Sequence, residues 1–171
     1  SMVAAAARSG CECVKHQTHF VEDEMTSEAK KIFPPNANQS IWDVISGSSL
    51  DEQEELELKQ YTESLGLIYL STPFSRKAAD FLADNDVVAF KIGSGEADNF
   101  PLIRHISRYG KPVILSTGMQ DLETVSTAVD ILRNARVDHA LLECTNIYPS
   151  PPNFVSLRGI HELQERFPDA L

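Results

Sequence analysis

Four short apolar runs constrain this chain more than any other feature: Leu67–Thr72 (LIYLST), Ala89–Ser94 (AFKIGS), Pro112–Thr117 (PVILST) and His139–Thr145 (HALLECT). Their last residues are separated by 22, 23 and 28 positions. Each interval holds one strand, one helix and two turns, so successive strands must run parallel. The intervening segments support this. Phe74, Ala78, Phe81 and Leu82 recur at helical spacing, as do Leu102, Ile103 and Ile106, and Val125, Ala128, Val129 and Leu132. Asp98 and Asp121 are expected to cap two of these helices, and Gly110 to stop one. A final helix is expected over Val155–Phe167, with Leu157, Ile160, Leu163 and Phe167 inward.

Upstream, Cys11–Gln17 reads as a further strand, with Cys13, Lys15 and Gln17 on one face. The stretch from Thr18 to about Ser49 reads as a long connection containing EDE, PPNAN and Trp42, of the kind that forms lids or partner surfaces. Ser49 and Glu52 form a candidate capping box for a helix to Ser64, with Leu58, Tyr61 and Leu65 inward and Gly66 as its stop. Met2–Ser9 reads as the tail of an Ala-rich helix. The fold class is therefore α/β, an arc of about five parallel strands and their helices from a (β/α)8 barrel. A complete barrel takes about 250 residues, and this chain has 171.

Each run ends in polar residues: Ser71-Thr72, Gly93-Ser94, Ser116-Thr117 and Thr145-Asn146. Parallel α/β folds keep their chemistry at these carboxyl ends. The richest end is Val88–Asn99 (VAFKIGSGEADN). Lys91 lies inside an apolar strand, where burial is costly unless an anion meets it. A Gly-Ser-Gly turn then offers backbone N–H groups, and Glu96 follows. The alternative is an edge-strand lysine reaching solvent, with an ordinary turn behind it.

Composition narrows the ligand. A formal charge of −10 argues against nucleic acid and anionic membrane as partners. No apolar run approaches a membrane span, and no signal segment opens the chain. Cys11, Cys13 and Cys144 make an odd count, which suits a reducing, cytoplasmic compartment and thiols packed as small hydrophobes. His16 and His19 with Glu22 do not make a metal site, because residues three apart at a strand end do not face one another. No metal-ligand set is read from the sequence.

Lys15-His-Gln-Thr-His19 with Glu22-Asp-Glu-Met25, Ser71-Thr-Pro-Phe-Ser75, Lys91-Ile-Gly-Ser-Gly-Glu96, Leu115-Ser-Thr-Gly-Met119 and Cys144-Thr-Asn-Ile-Tyr-Pro149 occur in this order. The set resembles the bacterial sialic acid synthases, N-acetylneuraminate synthases above all, over essentially the whole chain. Sister enzymes making legionaminic and pseudaminic acids share most of the motifs. The resemblance implies condensation of phosphoenolpyruvate with N-acetylmannosamine, release of phosphate, and a requirement for manganese or magnesium. It also implies a (β/α)8 barrel followed by an antifreeze-like domain, assembled as a homodimer. Carried over by position, Lys15, Thr72, Lys91, Ser94, Ser116 and Asn146 match residues that hold phosphoenolpyruvate. Gln17, Glu96 and Tyr148 match residues facing the sugar and the reacting centre, and Phe74 falls among the substrate-binding positions.

Elementary chemistry agrees: a substrate with a phosphate and a carboxylate suits two lysines with several hydroxyl and amide donors. Glu96 is the leading proton-transfer group, with Lys91 beside it at the reacting centre. Its competing reading is an acid favoured by a helix N-terminus, and Tyr148 could instead wedge a loop before Pro149. The resemblance places the family's two metal-binding histidines beyond Leu171, an acidic strand end before Ser1, and the antifreeze-like domain downstream. Residues 1–171 are thus expected to be a partial synthase domain, inactive alone, with unpaired strand edges at Cys11–Gln17 and His139–Thr145. Two other classes remain open. One is a non-catalytic anion-binding barrel fragment, and the other an aldolase using Lys91 as a Schiff base.

Overall fold

The computed structural model describes residues 1–34 and 37–171, so part of the PPNAN stretch lies outside the described residues. The chain forms two units, Ser1–Val88 and Ala89–Leu171.

In the first unit, helix α1 (Met2–Arg8) is capped by the Ser1 hydroxyl and ends before Gly10, whose φ of +81° suits only glycine well. Strand β1 is Cys13–Thr18, starting two residues later than the apolar run suggested. The long connection is not bare loop. It carries α2 (Val21–Glu24), a 3-10 turn (Ser27–Lys31) and α3 (Ile41–Ser46). The Lys30 ammonium rests 4.2 Å over the Trp42 ring there.

Helix α4 (Glu52–Ser64) does have a capping box, but Asp51 and Glu54 form it rather than Ser49 and Glu52. Its inward face also differs from the hydrophobic reading. Tyr61 and Leu65 are exposed, while Glu55 and Thr62 are buried. The reason is a hydrogen-bonded cluster. Glu55, 2% exposed, accepts from Tyr69 Oη at 2.8 Å and pairs with His16 Nε2 at 3.1 Å. A buried carboxylate without partners costs several kcal/mol, so the helix turns its acid toward the two donors rather than its tyrosine inward. Tyr69 comes from β2 (Ile68–Pro73), which pairs parallel with β1 from Cys13 opposite Ile68 to Thr18 opposite Pro73. Helix α5 (Arg76–Asp84), capped by Ser75, buries Ala78 and Leu82 of the expected set together with Ala79, while Phe81 is half-buried and Phe74 lies before the helix.

The second unit is a parallel ladder of β3 (Phe90–Ile92), β4 (Val113–Ser116) and β5 (His139–Leu142). The strands are shorter than the apolar runs because their polar ends leave the ladder and form turns. One is the 3-10 turn Ser94–Glu96. Helix α6 (Phe100–Ser107) is capped by Asn99, one residue beyond the expected Asp98, and α7 (Leu122–Asn134) by Asp121 as expected. Phe90, Ile92, Ile103, Ile106, Val113, Leu115, Val129 and Leu132 are essentially inaccessible.

A 3-10 turn (Pro152–Phe154) precedes α8 (Arg158–Arg166), so the last helix is shorter than expected. Leu157 and Ile160 are exposed, and only Leu163 and the following Phe167 pack on Val125 and Val129. Arg133 closes this end by donating from Nε to Asp169 at 2.8 Å, which holds the Asp169 carboxyl down at about 2. The outer edge of β5 is not bare. Leu171 donates to His139 O and accepts from Leu141 N, the hydrogen bonding of a parallel neighbour opposite Ala140. Cys11 and Cys13 are exposed and Cys144 half-buried, so the thiols are not the small buried hydrophobes expected; Cys13 shares the exposed face of β1 with Lys15.

Candidate active site

Strand β1 alternates strictly, and Cys13, Lys15 and Gln17 project from its exposed face. The ladder sets Gln17 opposite Thr72, which is buried, and Thr18 Oγ1 lies 2.7 Å from Ser71 Oγ. Just past the two strands, the Phe74 ring stacks on His19 with centroids 4.3 Å apart. The Nδ1 of His19 lies 2.9 Å from the Glu24 carboxylate. His16 and His19 therefore each face a separate acid, Glu55 and Glu24, rather than a shared metal position with Glu22.

In the second unit the polar ends of β3, β4 and β5 interlock. Lys91 is 8% exposed, and its ammonium donates to Ser116 Oγ and to the Ile92 carbonyl, each at 2.6 Å. Its ladder partner is Ile114, so reaching Ser116 means leaning along the sheet toward the carboxyl ends. Ser94, also buried, opens the turn that follows β3. Glu96 Oε2 accepts from Asn99 Nδ2 at 2.7 Å, while Asn99 Oδ1 caps α6 through Leu102 N. The helix thus has its own cap, and Asn99 orients the acid beside it.

Beyond β4 lies a turn whose first three residues close the Leu115–Met119 motif, and whose fourth, Gln120, the sequence motifs do not include. Gln120 N donates to Thr117 O at 3.3 Å, with Gly118 and Met119 between them. Met119 has φ of +65°, the position that such turns give to glycine. The glycine is needed one place earlier. A β-carbon on Gly118 would run into Asn146 Oδ1 and come 2.7 Å from Cys144 O. Asn146 Oδ1 is itself buried and has no hydrogen-bond donor among the described residues. Thr117 binds Leu142 O through both its amide and its hydroxyl at 3.0 Å, and Gln120 Nε2 donates to Ser94 O at 2.9 Å. Lys91 and Ser116 are thus bonded to each other, Ser94 to the turn after β4 through Gln120, and Glu96 to Asn99, with Asn146 against the turn after β4. Tyr148 is not drawn in; it is 88% exposed.

Glu143 packs against Gly159 of α8. A cavity of about 340 Å³ beside it is lined by the acids Asp121, Glu143 and Glu162, so it does not suit an anion. Among the described residues no group of three or more His, Cys, Asp or Glu side chains could hold a metal ion. No helix among them is long and apolar enough to cross a membrane.

Residues 2–171 match the NeuB family. The chain belongs to that family. It is 30% identical over 173 residues to the N-acetylneuraminate-9-phosphate synthase of Homo sapiens, covering 98% of this chain and 48% of that protein. To the N,N'-diacetyllegionaminic acid synthase of Campylobacter jejuni it is 33% identical over 173 residues, covering 97% of this chain and 52% of that one. The crystal structure of N-acetylneuraminic acid (sialic acid) synthetase from Leptospira borgpetersenii superposes with a TM-score of 0.87 at 25% identity, over 97% of this chain and 55% of that chain. The fold is that of a (β/α)8 barrel, of which this NeuB-family chain holds five parallel strands and their helices. The chain spans about half the length of these relatives.

Proposed function

We propose that this chain supplies the phosphoenolpyruvate-binding part of a nonulosonic acid synthase. The reaction joins C3 of phosphoenolpyruvate to the aldehyde carbon of N-acetylmannosamine, adds water at C2, and releases inorganic phosphate. The observation that carries the reading is Lys91, a buried ammonium in an apolar strand, bonded to Ser116 and beside the Ser94–Glu96 turn. A cation so placed stabilises an anion far better than it would in water. Ser94, Ser116 and Asn146 add hydroxyl and amide donors, and Lys15, Gln17 and Thr72 are assigned to the same substrate by their place in the motifs. Phe74 contributes a ring face near the ends of β1 and β2.

Glu96 is the proton-transfer group. Its carboxyl gives a proton to the sugar's carbonyl oxygen as the carbon–carbon bond forms, or takes one from the attacking water. Tyr148, which is exposed, is assigned to the incoming sugar by its place in the motif. A divalent metal, manganese or magnesium, belongs to the proposal with its ligands outside this chain. The described residues do not form a metal site, and no step here is routed through one. The same reading makes the complete protein a cytoplasmic homodimer.

The test uses the complete protein with manganese, phosphoenolpyruvate and N-acetylmannosamine, following phosphate release. Phosphate formed only when both substrates are present supports the reading. Phosphoenolpyruvate binding with no phosphate from any N-acyl hexosamine overturns it in favour of a non-catalytic anion-binding barrel. A legionaminic-type acceptor is the second reading, favoured by the identity to the Campylobacter jejuni relative. A pseudaminic-type acceptor is separated from both by the same assay with diacetamido sugars.

A further inference from the structure

We infer that Gln120 is a positioning residue for the Ser94–Gly95 peptide, aiming the Gly95 N–H at the bound anion. The inference rests on the phosphoenolpyruvate-binding role proposed for that turn. Its geometry is independent of it. Gln120 Nε2 donates to the Ser94 carbonyl at 2.9 Å across 26 positions of sequence. Only the amide nitrogen of a glutamine can serve a carbonyl, so the chemistry fixes which way the carboxamide points.

The Ser94–Glu96 turn is closed by Glu96 N–H donating to Gly93 O at 3.0 Å, but within the turn the Ser94 carbonyl itself is weakly bound. It spans three residues and has no side-chain cap. The backbone bond to Ser94 O, from Ala97 N, is 3.4 Å long, beyond the usual N–H···O range. Gln120 thus makes the shorter of the two bonds to that carbonyl. A peptide unit is planar and trans, so anchoring Ser94 O on one side directs the Gly95 N–H to the other. Without Gln120 the Ser94–Gly95 peptide would be fixed at its carbonyl by the long Ala97 bond alone among the described residues, and a misaimed donor weakens anion binding.

Gln120 can do this because its own turn is held from several sides. Thr117 is bound twice to Leu142 O, Gly118 lies against Asn146, and Met119 is kept at positive φ. Strained backbone of this kind persists where its surroundings over-determine it, and it gathers at functional sites. Here the strained residue immediately precedes Gln120 and sets the direction in which its side chain leaves the turn.

The experiment compares Gln120→Met, which keeps length and loses the donor, with Gln120→Glu, which replaces the donor by a charged acceptor. Both are made in the complete protein. Amide hydrogen exchange across residues 94–97 is measured without substrate, and phosphoenolpyruvate affinity, acceptor KM and thermal midpoint are measured alongside. Exchange should quicken in both variants with the thermal midpoint nearly unchanged. Phosphoenolpyruvate Kd should rise about three- to tenfold in Gln120→Met, the range set by loss of one hydrogen bond, and further in Gln120→Glu. Acceptor KM should stay put. Native exchange and affinity in both variants overturn the inference. If the unmodified protein binds no phosphoenolpyruvate, the functional reading fails instead, and the exchange arm alone decides whether Gln120 holds the turn. Should one variant not fold, the other carries every readout.

Discussion

The Lys91 ammonium lies 2.6 Å from the Ser116 hydroxyl on the neighbouring strand, two residues beyond its ladder partner Ile114. The lysine is thereby drawn to the carboxyl end of the sheet before any ligand arrives. In the complete protein, Lys91→Met should abolish the proposed phosphoenolpyruvate binding at neutral pH. Removing one partner of a buried charge pair costs about 3–5 kcal/mol, a loss of roughly a hundredfold or more in affinity. Ser116→Ala removes a hydrogen bond to a charged group and should cost about 1.5–3 kcal/mol, roughly ten- to a hundredfold. Calorimetry that finds unchanged affinity in Lys91→Met contradicts the assignment.

Glu96 allows a cleaner separation of chemistry from structure. Its one carboxylate oxygen accepts from Asn99, a bond that a glutamine carbonyl also accepts. Glu96→Gln should therefore keep the fold and substrate binding while turnover falls by roughly 10²–10⁴-fold. Near-normal turnover would mean that the residue serves only the entry to α6.

The parallel alternation and the polar strand ends were legible because spacing alone demands them, and Lys91, Ser94 and Ser116 stood out as polar residues in apolar runs. The turn after β4 was not legible in the same way. A Gly-Met pair reads as ordinary loop until Asn146, 28 positions later, is seen against Gly118. Glu55 was hidden for a similar reason. Helical periodicity puts apolar residues inward, and only the pairing of β1 with β2 brings Tyr69 and His16 to the carboxylate. Long-range polar satisfaction overrode a local pattern in both places. Tyr148 shows the converse: its motif marks a site residue, yet its side chain stands at the surface.

That buried cluster gives an alkaline prediction. Burial first, then the Glu55 charge, pushes the Tyr69 hydroxyl well above its ordinary value. The native state therefore holds this proton more tightly than the unfolded chain, whose tyrosine ionises near about pH 10. The stabilisation is complete below about pH 10 and is lost as pH rises beyond it. Tyr69→Phe should flatten that part of the stability–pH curve. It should also cost about 1.5–3 kcal/mol at neutral pH, the worth of a hydrogen bond to a charged group. Urea unfolding at pH 7 and at higher pH measures both effects, and an unaltered alkaline limb would show that Tyr69 ionisation does not set it.

Gly118 and Met119 should respond in opposite directions to substitution. Gly118→Ala places a β-carbon against Asn146 Oδ1 and the Cys144 carbonyl. One of those contacts is backbone, so relief requires the β5 end to move, and overpacking of this sort costs about 1–3 kcal/mol. The displaced Asn146 should also weaken phosphoenolpyruvate binding. Met119→Gly puts the permissive residue where φ is +65°. Strain of about 1–3 kcal/mol at a non-glycine residue is relieved, offset by about 0.5–1 kcal/mol of extra freedom in the unfolded chain. The net expectation is a gain of between zero and about 2.5 kcal/mol, since Met119 is 68% exposed and gives up little packing. Chemical denaturation of the two single variants reads the sign directly. A neutral Gly118→Ala would mean that Asn146 has room to spare, and a destabilised Met119→Gly would mean that its side chain, not its backbone, is what the turn requires.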